Sequence, residues 1–295
     1  MSVSGRATHV LVDGACYPRA LQRLYRRDDL ADIEPLYLLT RFREVAEQGP
    51  ILIRPRSSRF VTALLAEDDG EAARAMSIIE STASTQALSD HLLQFVEIQV
   101  EGDAPGASRL LRFADPLVTR HWLASYGEAV PAEVMGPIAT WQVAHWAPCW
   151  QCPRPLQWQT FKVADISTSP LGQTPVSEFS GAQAHMLDVV TRWQFKARVS
   201  RYFDQHAQAA WQQIPREERD DWLEARLDEG LNWGAQTQRL MAIWMELALH
   251  GGADFMTARN GLFERWLAGD VSRRQMSRQQ QLHALDAWRH APQGR

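Results

Sequence analysis

The residues best suited to chemistry in this sequence are His145, Cys149 and Cys152, in the stretch HWAPCWQC at 145–152. An imidazole and two thiolates at such short spacing are a zinc donor set, and folding would have to bring His121 or His185 in as a fourth ligand. Cys149-Trp150-Gln151-Cys152 also has the spacing of a thiol–disulfide centre. That chemistry wants its first cysteine at a helix N-terminus, and Pro153 and Pro155 work against a helix there. With only three cysteines in the chain there is no disulfide framework, so two reduced loop thiols are the default. Asp13 ends the apolar run HVLV, a place where α/β sheets gather ligand sites. No second carboxylate stands at a telling spacing, so Asp13-Gly14 reads as a turn. The phosphate-cradling, dinucleotide-binding, metalloprotease and nucleophile-elbow motifs are all missing. Two function classes remain: a zinc- or thiol-dependent enzyme centred on His145, Cys149 and Cys152, or a binding protein without catalysis.

The elements that must position these residues divide the chain in two. Between residues 9 and 113, short β-prone runs alternate with helical ones. Strands are expected at His9–Val12, Leu36–Leu39, Ile51–Arg54, Met76–Glu80, Gln94–Val100 and Leu110–Phe113. Helices are expected at Tyr17–Arg26, Arg41–Gln48, Ser57–Ala66 (capped by Ser57 or Ser58) and Thr85–Leu93. Such alternation indicates an α/β (α+β) layer, and the hairpin-like Val100–Leu110 connection, with its Gly102–Gly106 turn, predicts a mixed sheet. Residues 147–182 carry Pro148, Pro153, Pro155, Pro170 and Pro175 and read as a linker. Beyond it an all-α domain is expected over 183–295. Met186, Val190, Trp193 and Ala197 form one helical stripe, and further helices are expected at Arg216–Glu229, Ala235–His250, Asp254–Leu267 and Ser272–Trp288. Gly230, Gly251-Gly252 and Gly269 stand where C-caps belong.

Eight of the 12 tryptophans lie beyond residue 150, and Trp211, Trp222, Trp233 and Trp244 are spaced by 11, three helical turns. Pro215 and Gly230 interrupt that run, so each indole is expected in the core of its own helix. At 295 residues, 45% hydrophobic and 22% charged, the chain can bury a sizeable core. A net charge of −4 provides no field for nucleic acid or anionic lipid, and the Arg273, Arg274, Arg278, Arg289 and Arg295 tail reads as a solvated helix face. The first residues lack a basic segment followed by a long apolar one, and the most apolar later run, Leu240–Leu249, is far too short to span a bilayer. A cytoplasmic protein is expected.

Five signatures stand in order along the first half: VDGA (Val12–Ala15), GPILI (Gly49–Ile53), HLLQFVEI (His91–Ile98), LRFADP (Leu111–Pro116) and MGPIATW (Met135–Trp141). Read physically they punctuate a fold. Asp13-Gly14 is a turn; Gly49-Pro50 stops a helix and launches a strand; His91 and Leu92 begin an apolar segment, where the imidazole reads as a core residue. Phe113 closes a strand, Asp115 fits an N-cap with Pro116 as first helical residue, and Gly136-Pro137 precedes Ile138–Trp141. In this order and spacing the signatures resemble the conserved domain of the effector chaperones, or adaptors, of bacterial type VI secretion, over roughly residues 8–146. The resemblance implies a non-enzymatic protein, without cofactor, that binds a cognate secreted effector and loads it onto the VgrG spike or its tip protein. It also implies that Asp13, Gly14, Gly49, Pro50, His91, Leu92, Phe113, Asp115, Pro116, Gly136 and Pro137 are scaffold landmarks over a domain at 1–146. The Trp-rich helical half would then vary with the cargo and carry exposed aromatic anchors. A regulatory protein-binding module with an unrelated partner is a further alternative.

Overall fold

The computed structural model describes residues 7–57, 59–66, 72–104, 106–163 and 177–291. Ser58, Pro105, Pro170, Pro175 and Arg295, which the sequence reading used, lie outside them. The chain falls into two compact units, 1–146 with 154–191, and 147–153 with 192–295. The first is α/β and the second helical.

The first unit is organised by β1 (His9–Asp13), every residue of which is buried. It is an inner strand of a six-stranded sheet, so both faces need apolar cover and its sequence reads as a continuous apolar run. Its neighbours are β3 (Pro50–Pro55) and β4 (Met76–Ser81), with Val10 opposite both Ile53 and Ile78. The sheet is completed by β2 (Leu30–Pro35), β7 (Ile138–His145) and β8 (Gln157–Lys162), in the order β2-β3-β1-β4-β7-β8 with every pairing antiparallel. On one face Val10, Val12, Ile51, Ile53 and Ile78 pack with Phe60 and Leu64 of α2 (Arg59–Ala66) and with Leu24 of α1 (Ala20–Leu24). An aromatic chain is buried elsewhere in the unit. Trp122 meets Phe95 at 4.8 Å, Trp141 at 6.1 Å and Phe179 at 6.0 Å between ring centroids.

The expected mixed sheet is realised beside the antiparallel one. In a second, three-stranded sheet, β5 (Glu97–Val100) pairs antiparallel with β6 (Arg109–Leu110) and parallel with β9 (Glu178–Phe179). Two helix starts follow their sequence signals closely. Ser84 caps α3 (Thr85–Leu93) by accepting from Ala87 N–H, and Asp115 caps α4 (Pro116–Ala124) by accepting from Leu117 N–H with Pro116 in the first turn. A short α5 (Ala132–Met135) precedes β7.

Other boundaries differ. Leu36–Leu39 is a turn, closed by Leu38 N–H to Pro35 O at 3.0 Å, and the strand lies just before it at Leu30–Pro35. The helix expected at Arg41–Gln48 is a 3-10 helix that begins at Arg43. Leu110–Phe113 keeps only Leu110 in a strand. The span read as a linker contains β8, paired with β7 from Thr140↔Lys162 to His145↔Gln157. Its sequence QWQTFK is free of proline and rich in aromatic and β-branched residues, which suits a strand.

The second unit contains α7 (Gln208–Trp211), α8 (Arg219–Trp233), α9 (Gln238–Gly251), α10 (Leu262–Ala268), α11 (Arg278–His290) and, from Arg192, the rest of α6 (Gly181–His206). Its core gathers Trp150, Phe203, Trp211, Leu227, Trp244 and Trp266, with Trp222, Trp233 and Trp288 packed against it. The regularly spaced tryptophans are therefore core, and none ranks among the exposed large apolar residues. Gly230, expected as a C-cap, lies inside α8, which ends at Gly234 with φ 111°. A Cβ on Gly230 would stand 2.6 Å from Met241 Sδ and 3.1 Å from the Trp244 ring, so this glycine lets α8 and α9 approach. The segment 147–153 is fastened through Trp150, whose indole N–H donates to Asp220 at 2.8 Å. Lys196, nearly buried, binds Asp220 at 2.7 Å and Glu224 at 2.6 Å, 5.0 Å from the Trp150 ring centroid. Among the described residues no helix is long and apolar enough to cross a membrane.

Candidate functional site

The landmark residues of the first unit fall into two places. At one, the His91 imidazole is hydrogen-bonded through Nε2 to Val134 O at 3.0 Å and set edge-on to Phe95. Burial holds its pKa below the ordinary value, against the opposing effect of that carbonyl. Gly136, at φ 51°, lies so close to the imidazole that a Cβ there would collide with it. Pro137 O accepts from Ser81 Oγ at 2.7 Å, and Leu92 is fully buried. His91 is thus a satisfied core residue that specifies a glycine opposite it.

The other place gathers Asp13, Gly14, Gly49, Pro50, Phe113, Asp115 and Pro116. Asp13 and Pro50 are partners across β1 and β3, and Gly14 N–H donates to Gly49 O at 2.9 Å. Asp13 Oδ1 accepts from the backbone N–H groups of Ala15 and Cys16, both at 2.9 Å, which makes the expected turn. Arg112, not among the expected landmarks, joins them. Its Nη2 donates to both Asp13 oxygens at 2.9 Å and to Cys16 Sγ at 3.4 Å, while Nη1 stands 3.5 Å from Asp115 Oδ2. The Arg-x-x-Asp spacing within LRFADP was the one available signal for it. Its partner Asp13, 99 residues away, left none.

The electrostatics follow from burial. The Asp115 carboxyl is raised to about 6 by desolvation, with Arg112 opposing and Asp13 adding to the rise. Cys16 is exposed as a residue, yet burial around its sulfur, then the Asp115 and Asp13 carboxylates, raises its thiol to about 12. Burial, then Asp13, raises the Tyr37 phenol to about 12. Against the effect of burial, Asp13 and Asp115 hold the Arg112 guanidinium above its usual range.

Among the described residues, Asp13, Cys16 and Asp115 are the one group of three potential metal ligands, their ligand atoms lying within 4.8 Å of one another. The fit to a cation is poor. Arg112 already supplies the positive charge between the Asp13 and Asp115 carboxylates. Among the described residues of their own unit, Cys149 and Cys152 belong to no such group. Cys149 Sγ lies 3.8 Å from Ala197 O, and Cys149 and Cys152 are exposed on a turn closed by Gln151 N–H to Pro148 O. His121, the suggested fourth ligand, directs Nδ1 to Leu117 O at 2.7 Å, and His185 is exposed.

Beside the cluster opens a half-open pocket of about 310 Å³, with Asp13 and Arg112 on its wall and Tyr37, Val45, Pro50 and Leu110 among its apolar lining. Its surface is mainly apolar. The one carboxylate on its wall, Asp13, is held by Arg112 and by the backbone N–H groups of Ala15 and Cys16.

Residues 8–131 match the model of a family described as a domain of unknown function, DUF4123. The matched span contains the whole Asp13–Arg112–Asp115 cluster and its pocket. No curated protein and no solved structure matches the chain.

Proposed function

We propose that this protein is a non-enzymatic adaptor of the bacterial type VI secretion pathway, which binds a cognate effector and loads it onto the VgrG spike or its tip protein. The observation that carries the reading is the coincidence of two spans. The signatures resembling the effector adaptors run over roughly residues 8–146, and the DUF4123 match covers 8–131. Binding without catalysis is supported by the landmark cluster, whose ionisable groups are engaged with one another, and by a pocket with mainly apolar walls. The same reading puts the protein in the cytoplasm, with neither cofactor nor membrane partner.

The test is affinity purification of the tagged full chain from its native host, with the secretion genes expressed, followed by mass spectrometry. Recovery of one larger protein with toxin-like domains in a stoichiometric complex, with or without the spike, is the expected result. Recovery of the chain alone under gentle lysis counts against the reading. A zinc- or thiol-dependent enzyme at Cys149 and Cys152 gains no support from their exposed, ungrouped thiols.

A further inference from the structure

We propose that the rim of the Asp13–Arg112 pocket, with the open edge of β6, is a docking surface for an extended, uncharged, apolar segment of a partner protein. Among the described residues, eight large apolar side chains are exposed, and four of them are Leu38, Leu39, Val45 and Leu110. Val45 and Leu110 line the pocket, and Leu38 and Leu39 continue the turn from Tyr37, which lines it too. Leu39 is 93% exposed, beside Leu38 at 56%.

The backbone supplies the direction. Glu97 stands opposite Leu110, and Leu111 N–H donates to Val96 O at 3.0 Å. In an antiparallel ladder alternate residues face the partner strand, so the N–H and C=O of Leu110 face away from β5. An exposed strand edge is a template for one more strand, with alternate side chains of the added segment falling into neighbouring pockets. The guanidinium of Arg112, 40% exposed at the wall, hydrogen-bonds through Nη2 and offers further N–H groups to a backbone carbonyl.

Charge decides the occupant. Arg41 is paired with Glu97, Arg109 with Asp103, and Arg112 with Asp13 and Asp115. With each of these arginines engaged the rim does not recruit an acidic ligand, and its exposed apolar side chains complement a neutral apolar one. The inference rests on the adaptor reading only for the identity of the partner, which would be the effector.

The test pans a phage-displayed library of random dodecapeptides on the full chain, with the Leu39→Asp/Leu110→Asp double variant as the counter-selection. Both substitutions are at exposed positions, and circular dichroism checks the fold; Val45→Asp serves as a second variant should the first misfold. The expected result is enrichment of peptides without net charge and with apolar residues at alternate positions. Synthetic versions should bind the variant about tenfold or more weakly and lose little affinity in high salt. Three results overturn the proposal: no enrichment over the variant, enriched peptides that are charged and released by salt, or a wild-type dimer that the variant splits. Peptide enrichment without co-purification of an effector sinks the adaptor reading alone. An effector held equally by variant and wild type, with no peptide enrichment, sinks the docking surface alone.

Discussion

At the scale of single residues, Asp115 has two roles that substitution can separate. Its side chain caps α4, and its burial raises the carboxyl from 3.8 to about 6. A carboxyl raised on folding holds its proton better in the folded chain, so its contribution to stability falls as pH climbs from about 4 to about 6 and then levels. His91 and His121, lowered by burial, act oppositely: their contribution is lost as pH falls below the ordinary value of 6.5. The clean measurement is therefore the difference in urea midpoint between wild type and Asp115→Asn across that range. Asn caps as well as Asp, so the variant should gain relative stability as pH rises to about 6; a flat difference would show that the carboxyl is not perturbed. Arg112 is tested by a cycle. Arg112→Met leaves the buried Asp13 carboxylate without its cation and should cost about 2 kcal/mol, between the values for surface and buried pairs. Asp13→Asn in the same chain should recover part of that, and strict additivity would mean the two groups are not coupled.

At the scale of elements, legibility tracked how local the signal was. Helices start at Thr85 and Pro116 where the sequence places them, because a cap and its recipients lie within one turn. Leu36–Leu39 reads as a strand from its apolar content but forms a turn, since the ladder with β3 ends at Pro35. Gly230 reads as a helix end because nothing in its neighbourhood reveals Met241 and Trp244 packed against it. That packing gives a test: Gly230→Ala should destabilise the helical unit by about 1–3 kcal/mol through overpacking. Met241→Ala, which removes the nearest atom, should reduce the penalty of a second Gly230→Ala change. If the cost is equal in both backgrounds, the Met241 contact is not its cause, since helix propensity alone would favour the alanine by about 1 kcal/mol.

At the scale of the whole molecule, the α/β then all-α order was legible from the change of periodicity, whereas the division of the Pro-containing middle was not. The prolines at 148, 153 and 155 mark where regular structure breaks, yet they flank two segments with different attachments. Residues 147–153 belong to the helical unit through Trp150, and β8 belongs to the sheet through β7. The site was half legible for a similar reason: its landmarks are local turns and caps, while the Asp13–Arg112 bond joins residues 99 apart. The attachment of β8 has a direct consequence for truncation. A chain ending at residue 146 exposes β7, whose Trp141, Val143 and Ala144 are wholly buried, as an unpaired apolar edge. It should aggregate, whereas a chain ending at residue 191 keeps β8, β9 and the complete first unit and should remain monodisperse. Size-exclusion chromatography with light scattering compares the two, and a monomeric, cooperatively unfolding 1–146 would show that the sheet closes without its sixth strand.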